Sequence, residues 1–442
     1  MAASNEVLHA EIAQLKRSGK RQPAPFSKGT RTPAPKRPGR KPGAGTFCYR
    51  EVPPPEAITE PPVDVQVTLD ACPACGGLLE EARVDFAYRT ELPALPRPIV
   101  TRYRVWICRC TVCGNRVRGQ HPDLAPDHYG ATAHRLGPRV LAAAHALHDG
   151  VGLPVRKVPA VLAALTGVLL TQGALTQDAL RRAAGAVGTA YEQWRTAVPT
   201  APVVPTDDTG WRVSGTPAYL MAFDTNAATV YQSRPRHRHE EVQEVIPADD
   251  AGVMVTDRGR SDDAQACDCV DQHKGLAHML RSISHVVEMK TGRARDFGEQ
   301  LKARLQDALA LWHQHRDGPV LDCKVDAEAL QAEITDHLRD RRLKDPDHQR
   351  LLNALGWHHD RGHVRRFLTD PRIEPTNHRA ERALRPAVIA RNVSHGAKTG
   401  AGAHTLAAFT SVVRTLAKPG SDTLVEGLDH LYRSPNLQSM AP

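Results

Sequence analysis

The stretch "VVPTDDTGWRVSGTPAYLMAFDTNAATVYQSR", residues 203–234, decides the fold of this chain. Its β-branched, aromatic and other apolar residues fall into three short runs separated by turn residues, at 203–207, 218–224 and 228–234. Such a pattern predicts three consecutive strands in an antiparallel meander. Downstream, the periodicity predicts a helix, a buried strand, a short strand and a second helix, at 239–246, 252–257, 272–276 and from Ala277 onward.

This order of elements predicts the fold class. Three antiparallel strands followed by alternating helices and strands are typical of an α/β domain of the ribonuclease-H-like type. The charged helical patterns that come next predict an insertion in this domain. The expected segments are the first part of the domain, the helical insertion, a C-terminal helical region and a tail, at 201–290, 291–370, 371–420 and 421–442.

Acidic residues stand at the ends of two predicted strands. Asp207 ends the first strand and Asp257 ends the fourth, and these strands are neighbours in the predicted order. Two carboxylates forced together repel each other unless a cation lies between them. Glu381, on a helix expected to begin near Asn377, supplies a third ligand. Together the three acids predict a catalytic site for two Mg2+ (or Mn2+) ions, although any one of them alone is more typical of a turn or a cap.

Basic residues surround Glu381 in "EPTNHRAERALRPAVIARN", residues 374–392. Asn377 lies one helical turn before Glu381 and is expected to orient its carboxylate or to touch a phosphate. Arg382 and Arg385 are candidate phosphate contacts, because a guanidinium group binds phosphate through paired hydrogen bonds. The alternative is a solvated helix surface of mixed charge.

Two other residues near this region have open alternatives. His278, at a predicted helix start near Asp257, either assists at a phosphate or is a structural histidine. Trp211 is expected in the core rather than stacked on a nucleic-acid base.

Short-spaced cysteines predict a metal site ahead of this domain. The segments "CPACGG" and "CRCTVCGN" each contain a Cys-x-x-Cys pair, and two such pairs can complete a tetrahedral Zn2+ site with no open position for a substrate. We therefore expect a structural zinc ribbon that binds DNA over residues 63–125, with unrelated free thiols as the alternative and Cys108 as a competing ligand. The predicted zinc ligands are Cys72, Cys75, Cys110 and Cys113.

The N-terminal fifty residues hold eleven Lys and Arg but two acidic residues, so they account for the whole net charge of +9. Residues 1–20 contain a short amphipathic pattern that predicts a helix and a possible coiled-coil interface. Residues 21–62 are rich in Pro, Gly and basic side chains, which predicts an extended arm. A concentrated basic arm favours a polyanion partner over a solubilising tail. Its candidate DNA contacts are Lys36, Arg37, Arg40 and Lys41.

Residues 135–200 are rich in Ala and Leu with helical periodicity. A break at Thr166 and Gly167 separates two helices, and either Thr171 or Thr176 is expected to cap the second. This pair of helices is either a helix-turn-helix that contacts DNA or two plain packing helices.

Four motifs, "TDDTGWRVSGTPAYLMAF", "GVMVTDRGRSDDA", "LAHMLRSI" and "PTNHRAERALRPAVIARN", resemble those of the insertion-sequence 66 family of bacterial DDE transposases. Matched position by position, the family's catalytic triad falls on Asp207, Asp257 and Glu381. Gly275 stands where the family has Cys before the L-A-H motif, and His378 replaces the second Asn of its P-T-N-N motif.

The resemblance implies metal-dependent cleavage at insertion-sequence ends and strand transfer into target DNA. The implied partners are the terminal inverted repeats, target DNA, further copies of the chain and accessory proteins of the same element. A catalytically inactive DNA-binding protein or repressor of the element, and a nuclease that cuts without joining, are the alternatives. No run of about 18 apolar residues and no secretion signal is evident, so we expect a cytoplasmic protein without a membrane span. The resemblance further implies a bacterial, nucleoid-associated protein.

Overall fold

The computed structural model describes residues 71, 73–77, 97–124, 135–247, 252–257, 270–317, 323–338, 342–418 and 423–433. The chain divides into two compact units, Met1–Pro96 and Arg97–Pro442. The helix predicted at 1–20, the arm predicted at 21–62 and Cys72 lie outside the described residues.

The second unit begins with a small hairpin. Strands β1 (Ile107–Arg109) and β2 (Arg116–Arg118) pair antiparallel, with Cys108 opposite Val117. The tight turn between them contains the second Cys-x-x-Cys pair.

Four helices follow the hairpin: α1 (Pro138–His145), α2 (Val158–Thr166), α3 (Gln172–Ala183) and α4 (Ala186–Ala197). The predicted break between two of these helices is confirmed. Gly167 ends α2 with a φ of 73°, a left-handed conformation that glycine adopts without strain. Thr171 is the cap of α3, since its side-chain oxygen accepts a hydrogen bond from the backbone N–H of Ala174.

The central element is a five-stranded mixed sheet with the strand order β5-β4-β3-β6-β7. Strands β3, β4 and β5 are antiparallel, whereas β6 runs parallel to β3 and β7 runs parallel to β6. The predicted meander and the predicted neighbourhood of the first and fourth strands are thus both observed. The strands are β3 (Val203–Val213), β4 (Thr216–Asp224), β5 (Thr229–Arg234), β6 (Val253–Thr256) and β7 (Asp271–Lys274).

Strand β3 is longer than the sequence pattern indicates. It continues to Val213 because Ser214 and Gly215, both with positive φ, form a two-residue hairpin turn that keeps β3 and β4 paired up to their ends. Turns with positive φ at both central residues match the natural twist of antiparallel strands. The polar residues after Asp207 are therefore part of the strand.

Two helices flank the parallel strands: α5 (His239–Gln243), shorter than predicted, and α6 (Leu276–Glu288). The predicted insertion then forms α7 (Arg293–Asp317), α8 (Cys323–Leu338), α9 (Pro346–Asp360) and α10 (Arg366–Thr369). These helices share a core with α6 that includes Leu301, Leu305, Trp312, Ile334 and Leu355.

The chain returns to the sheet through α11 (His378–Ser394) and α12 (Gly400–Leu416). Alternate residues of β4 point to opposite faces, as strand geometry requires. Leu220 and Ala222 share a core with Leu384 of α11, whereas Met221 and Phe223 belong to the core that includes α1, α4 and α12. The sheet is therefore covered on both faces.

The predicted tail contains a helix, α13 (Leu424–Arg433), whose residues Leu428 and Leu431 are fully buried. Its apolar residues recur at helical spacing, and this gives the segment a face to bury. Within the described ranges, no helix is long and apolar enough to cross a membrane.

Candidate active site

The parallel pairing of β3 with β6 brings two of the predicted acids side by side, at the carboxyl end of β6. The paired residues are Val203 with Val253, Val204 with Met254 and Pro205 with Val255. Continued for two residues, the same register aligns Asp207 with Asp257. Neighbouring strands lie about 4.8 Å apart, so these carboxylates are close enough to interact strongly.

Glu381 reaches the same place from the first turn of α11. The start of α11 is held by Asn377, whose side-chain amide donates a hydrogen bond to the backbone oxygen of Thr206 at 2.9 Å. Nearby, the backbone N–H of Leu276 donates to Pro375 O at 2.8 Å. Because Thr206 directly precedes Asp207, these bonds set where Glu381 stands relative to the strand ends.

His278 lies between two of the acids. Its Nε2 is 3.0 Å from Oδ2 of Asp257 and 3.4 Å from Oε1 of Glu381. The potential ligand atoms of these three residues all lie within 4.8 Å of one another, an arrangement that can hold a metal ion. His278 therefore lies within the site. This position is compatible with both of its predicted roles, assistance at a phosphate and a structural histidine.

The electrostatics of the acids reflect their crowding. The pKa of Asp207 is raised to about 7, first by burial and then by the negative charges of Asp257, Asp208 and Glu381, while a hydrogen bond from the backbone N–H of Asp208 lowers it. The pKa of Asp257 is also raised, first by burial and then by Glu381, while His278 lowers it. Carboxylates that resist ionisation in this way favour a bound cation.

Asp208 belongs to a different environment although it is adjacent to Asp207. Successive strand residues point to opposite faces, and the Asp208 carboxylate lies 3.2 Å from Nδ1 of His237. Burial raises its pKa, and the neighbouring His237 lowers it. Neither Asp208 nor Asp207 is in the group of possible metal ligands found among the described residues, which contains Asp257, His278 and Glu381.

Lys274, at the end of β7, is a site residue that the sequence patterns did not reveal. It is fully buried, and its Nζ donates a hydrogen bond to Oγ1 of Thr256 at 2.9 Å. The Thr256 hydroxyl in turn donates to the backbone oxygen of Asp257 at 2.7 Å. The lysine charge also lowers the pKa of Asp257. In the sequence, Lys274 is marked only by its position at the end of a strand, just before Gly275. The sheet order then brings it next to Asp257.

The arginines around Glu381 divide into two kinds. Arg379 donates to the Asp224 carboxylate and to Asn226, and Arg391 donates to Oγ1 of Thr209 at 2.8 Å and to the backbone of the sheet. These two bind α11 to the strands. Arg382 and Arg385 are exposed.

Three other predictions have separate outcomes. Asn377, expected to orient Glu381 or touch a phosphate, is only 2% exposed, and its amide is bonded to the strand backbone. Trp211 is confirmed as a core residue. The four basic residues predicted to contact DNA through the arm lie outside the described residues: Lys36, Arg37, Arg40 and Lys41.

The helix pair considered as a helix-turn-helix is joined to the core through its second helix. Arg182 pairs with Asp178 at 2.6 Å and lies over the ring of Tyr432 at 3.5 Å. Asp178 also contacts the buried His145 at 3.3 Å. Arg182 is therefore engaged within the fold, whereas Arg181, which also pairs with Asp178, is largely exposed.

The cysteine turns have similar local geometry in each unit. Gly76 and Gly114, which follow the second cysteine of each pair, have φ values of 72° and 73°. In the second turn, backbone N–H groups of Cys113 and Val112 lower the pKa of the Cys110 thiol. Amides directed at sulfur favour the thiolate that binds metal. Cys75, Cys108, Cys110 and Cys113 are free thiols, and Cys72 lies outside the described residues.

Comparison with known proteins adds the family. The family model described as "Transposase IS66 family" matches residues 134–405, more than half of the chain, including the sheet, the three predicted acids and the helical insertion. No curated protein matches the chain. On this match, the protein belongs to the IS66 family of transposases.

Proposed function

We propose that the protein is a DDE transposase that cleaves DNA at the ends of its insertion sequence and joins the freed ends to target DNA. The observation that carries the proposal is the convergence of Asp257 and Glu381, with ligand atoms within 4.8 Å, beside Asp207 on the neighbouring strand β3. The strand order β5-β4-β3-β6-β7 supports a ribonuclease-H-like assignment for the sheet.

The residues at the site fit divalent ions. Oδ1 of Asp257 and Oδ1 of Asn377 are buried oxygen atoms without a hydrogen-bond partner among the described residues. Both residues border the space in front of Gly275, where an added Cβ would lie 3.4 Å from Oδ1 of Asp257 and 3.3 Å from Cβ of Asn377. Unpartnered acceptors beside crowded carboxylates suit a hard cation, which prefers oxygen ligands.

In this proposal Asp207, Asp257 and Glu381 hold two Mg2+ or Mn2+ ions. When bound, such ions activate a water or a 3′-hydroxyl and stabilise the leaving oxygen of a phosphodiester. The chain itself supplies the placement: strand register sets the two aspartates, and the bond from Asn377 to Thr206 sets Glu381. Because the pKa of Asp207 is raised to about 7, this carboxyl group is partly protonated at neutral pH, and loading the site is expected to release that proton.

DNA binding is proposed for the exposed basic residues near the site, Arg382 and Arg385, together with the basic arm. Phosphate contacts of this kind make affinity fall steeply with salt. Two element ends must be brought together, so we propose a homo-oligomer, with accessory proteins of the element as further partners.

The test of catalysis uses labelled DNA that carries the terminal inverted repeats of the element, with Mg2+ and the purified full-length protein. We expect joined products from the wild type and a loss of about 100-fold or more in Glu381→Gln, since even outer residues of a metal site cost about 10–100-fold. Glu288→Gln, an exposed glutamate at the end of α6, is the matched control and should keep full activity.

The other outcomes identify the alternatives. Nicked products without joining indicate a nuclease, and a mobility shift without cleavage indicates an inactive DNA-binding protein. Full strand transfer by Glu381→Gln would show that the proposed triad is wrong.

We also propose that Cys72, Cys75, Cys110 and Cys113 bind one structural Zn2+. The lowered pKa of the Cys110 thiol and the left-handed glycine after each pair favour thiolate ligands at each turn by itself. The proposal that the two pairs share one ion rests on the two Cys-x-x-Cys spacings in the sequence. Loss of one of four thiolates should remove most of the bound metal. Elemental analysis of purified Cys110→Ser is therefore expected to show a large drop in zinc per chain, and an unchanged zinc content contradicts the assignment.

A further inference from the structure

We infer that His278 is itself a ligand of one of the two divalent ions, together with Asp257 and Glu381, so that this ion binds to one nitrogen and to carboxylate oxygens. The inference rests on the proposed function for the presence of the ions. It adds a specific ligand and a metal preference that the three acids alone do not imply.

The distances around His278 match those between neighbouring metal ligands. In an octahedral site with bonds of about 2.1 Å, adjacent ligand atoms lie about 3 Å apart and opposite ones about 4 Å apart. Nε2 of His278 is 3.0 Å from Asp257 and 3.4 Å from Glu381, and every pair of ligand atoms is within 4.8 Å. One ion can therefore contact all three side chains with little rearrangement.

A hydrogen bond from Nε2 of His278 accounts for only one of its two contacts with carboxylate oxygens. Nε2 carries at most one hydrogen, yet two carboxylate oxygens approach it. A metal ion at this point would interact with all three atoms at once. The other oxygen of Asp257, Oδ1, is buried without a hydrogen-bond partner among the described residues, so that carboxylate also has a free acceptor.

The fold gives His278 a defined position from which to act as a ligand. It lies in the first turn of α6, directly after the strand end at Lys274. The backbone N–H of Gly275 donates to Thr256 O at 2.9 Å, and that of Leu276 donates to Pro375 O at 2.8 Å. The helix start is thus bonded both to β6, which precedes Asp257, and to the segment that leads to Glu381.

The ligand set makes the two ion positions unequal. Asp207 interacts electrostatically with Asp257 and Glu381 but is not a member of the group that contains His278. In the proposed two-ion site, Asp207 is accordingly a ligand of the second ion. Imidazole suits the later transition metals better than Mg2+, and Mn2+ accepts both nitrogen and oxygen ligands. The ion at His278 should accordingly prefer Mn2+ to Mg2+.

The test is Mn2+ binding to the full-length protein without DNA, followed by pulsed electron paramagnetic resonance. Wild-type protein should bind Mn2+ with a hyperfine coupling to a histidine nitrogen. His278→Gln should lose that coupling and bind Mn2+ about tenfold or more weakly. His285→Gln is the matched control, because His285 is an exposed histidine in the last turn of the same helix, and it should behave as the wild type.

A second variant separates loss of the ligand from loss of the fold. His278→Asp replaces the nitrogen by an oxygen ligand, so it should still bind Mn2+ without nitrogen coupling and should discriminate less between Mn2+ and Mg2+. A misfolded protein would not show retained binding with altered selectivity.

Three outcomes overturn the inference: no Mn2+ binding, Mn2+ binding without nitrogen coupling in the wild type, and a coupling that survives in His278→Gln. None of these measurements depends on DNA cleavage. A protein that shows the predicted coupling but neither cuts nor joins DNA would retain His278 as a ligand while the proposed function fails.

Discussion

At the scale of single residues, the fold holds several carboxylates close together at the site although they repel one another. Burial and the neighbouring acids raise the pKa of Asp207 to about 7, well above the ordinary value of 3.8. Between these two values the folded protein keeps a proton that the unfolded chain has lost, so the free energy of unfolding falls as pH rises through this window. Ion-free protein should therefore be less stable at pH 8 than near pH 4 on account of this residue.

Asp207→Asn removes this effect because the amide cannot ionise. We expect the ion-free variant to be more stable than the wild type at about pH 8, by at most about 4 kcal/mol at roughly 1.4 kcal/mol per pKa unit, with little gain near pH 4. Thermal denaturation with a chelator at both pH values measures this. Asp336→Asn, at an exposed position on α8, should change neither melting temperature. Equal stability of Asp207→Asn and wild type at pH 8 would show that Asp207 bears no such strain.

At the scale of the element, the arginines of α11 divide into those that bind to the sheet and those that are exposed. Ala380, Ala383 and Leu384 are buried. Arg379 and Arg391 reach sideways to Asp224 and to β3. Arg382 and Arg385 are exposed. In the sequence these arginines look alike, and only the packing of the helix distinguishes structural ones from those free to meet DNA.

The double variant Arg382→Ala/Arg385→Ala tests this division. Each lost phosphate contact reduces the slope of log affinity against log salt by about 0.9, so we expect weaker DNA binding, a slope lower by up to about 1.8 and an unchanged melting temperature. Arg379→Ala is the comparison variant: it deprives buried Asp224 of a partner and should lower the melting temperature. DNA titrations across a salt series provide the slope. An unchanged slope in the double variant would place the DNA elsewhere.

At the scale of the whole second unit, helices that precede the sheet in the sequence and helices that follow it share one core with the sheet. Ala142 of α1, Val204 of β3, Val412 of α12 and Leu428 of α13 belong to the same cluster. His145 adds a polar contact, since its ring lies 3.0 Å from Asp149 and stacks on Phe409 at 4.4 Å between centroids. The last helix is therefore part of the core on which the sheet and the site depend.

Leu428→Ala tests the contribution of α13. Leu428 is fully buried, and truncating such a leucine costs about 2–5 kcal/mol through lost burial and the cavity left behind. Denaturant unfolding should show a loss in this range. Leu169→Ala is the matched control, because Leu169 is 82% exposed and exposed substitutions change stability by about 0.5 kcal/mol or less. A Leu428→Ala variant as stable as the control would mean that α13 is not part of the core.

The order of the elements was accessible from the sequence because periodicity and turn residues are local. The meander, the break at Gly167 and the start of α11 near Asn377 all followed from such patterns. The patterns ended β3 at Asp207 because its later residues are polar, whereas pairing with β4 extends it to Val213. The helix α13 stands where the sequence predicted a tail, because a helix of ten residues is stabilised chiefly by packing its apolar face on the core, here through Leu428 and Leu431.

By itself, the sequence determined the order of strands and helices and indicated Asp207, Asp257 and Glu381 as the candidate acids, although Asp207 lies within β3 and not at its end. Only the tertiary structure decided that Asn377 bonds to Thr206, that Lys274 lies buried behind Asp257 and that His278 stands between two acids. The physical reason is the range of the interactions. Periodicity acts over a few residues, but these contacts join side chains far apart in the chain, and their partners are set by strand register and helix packing.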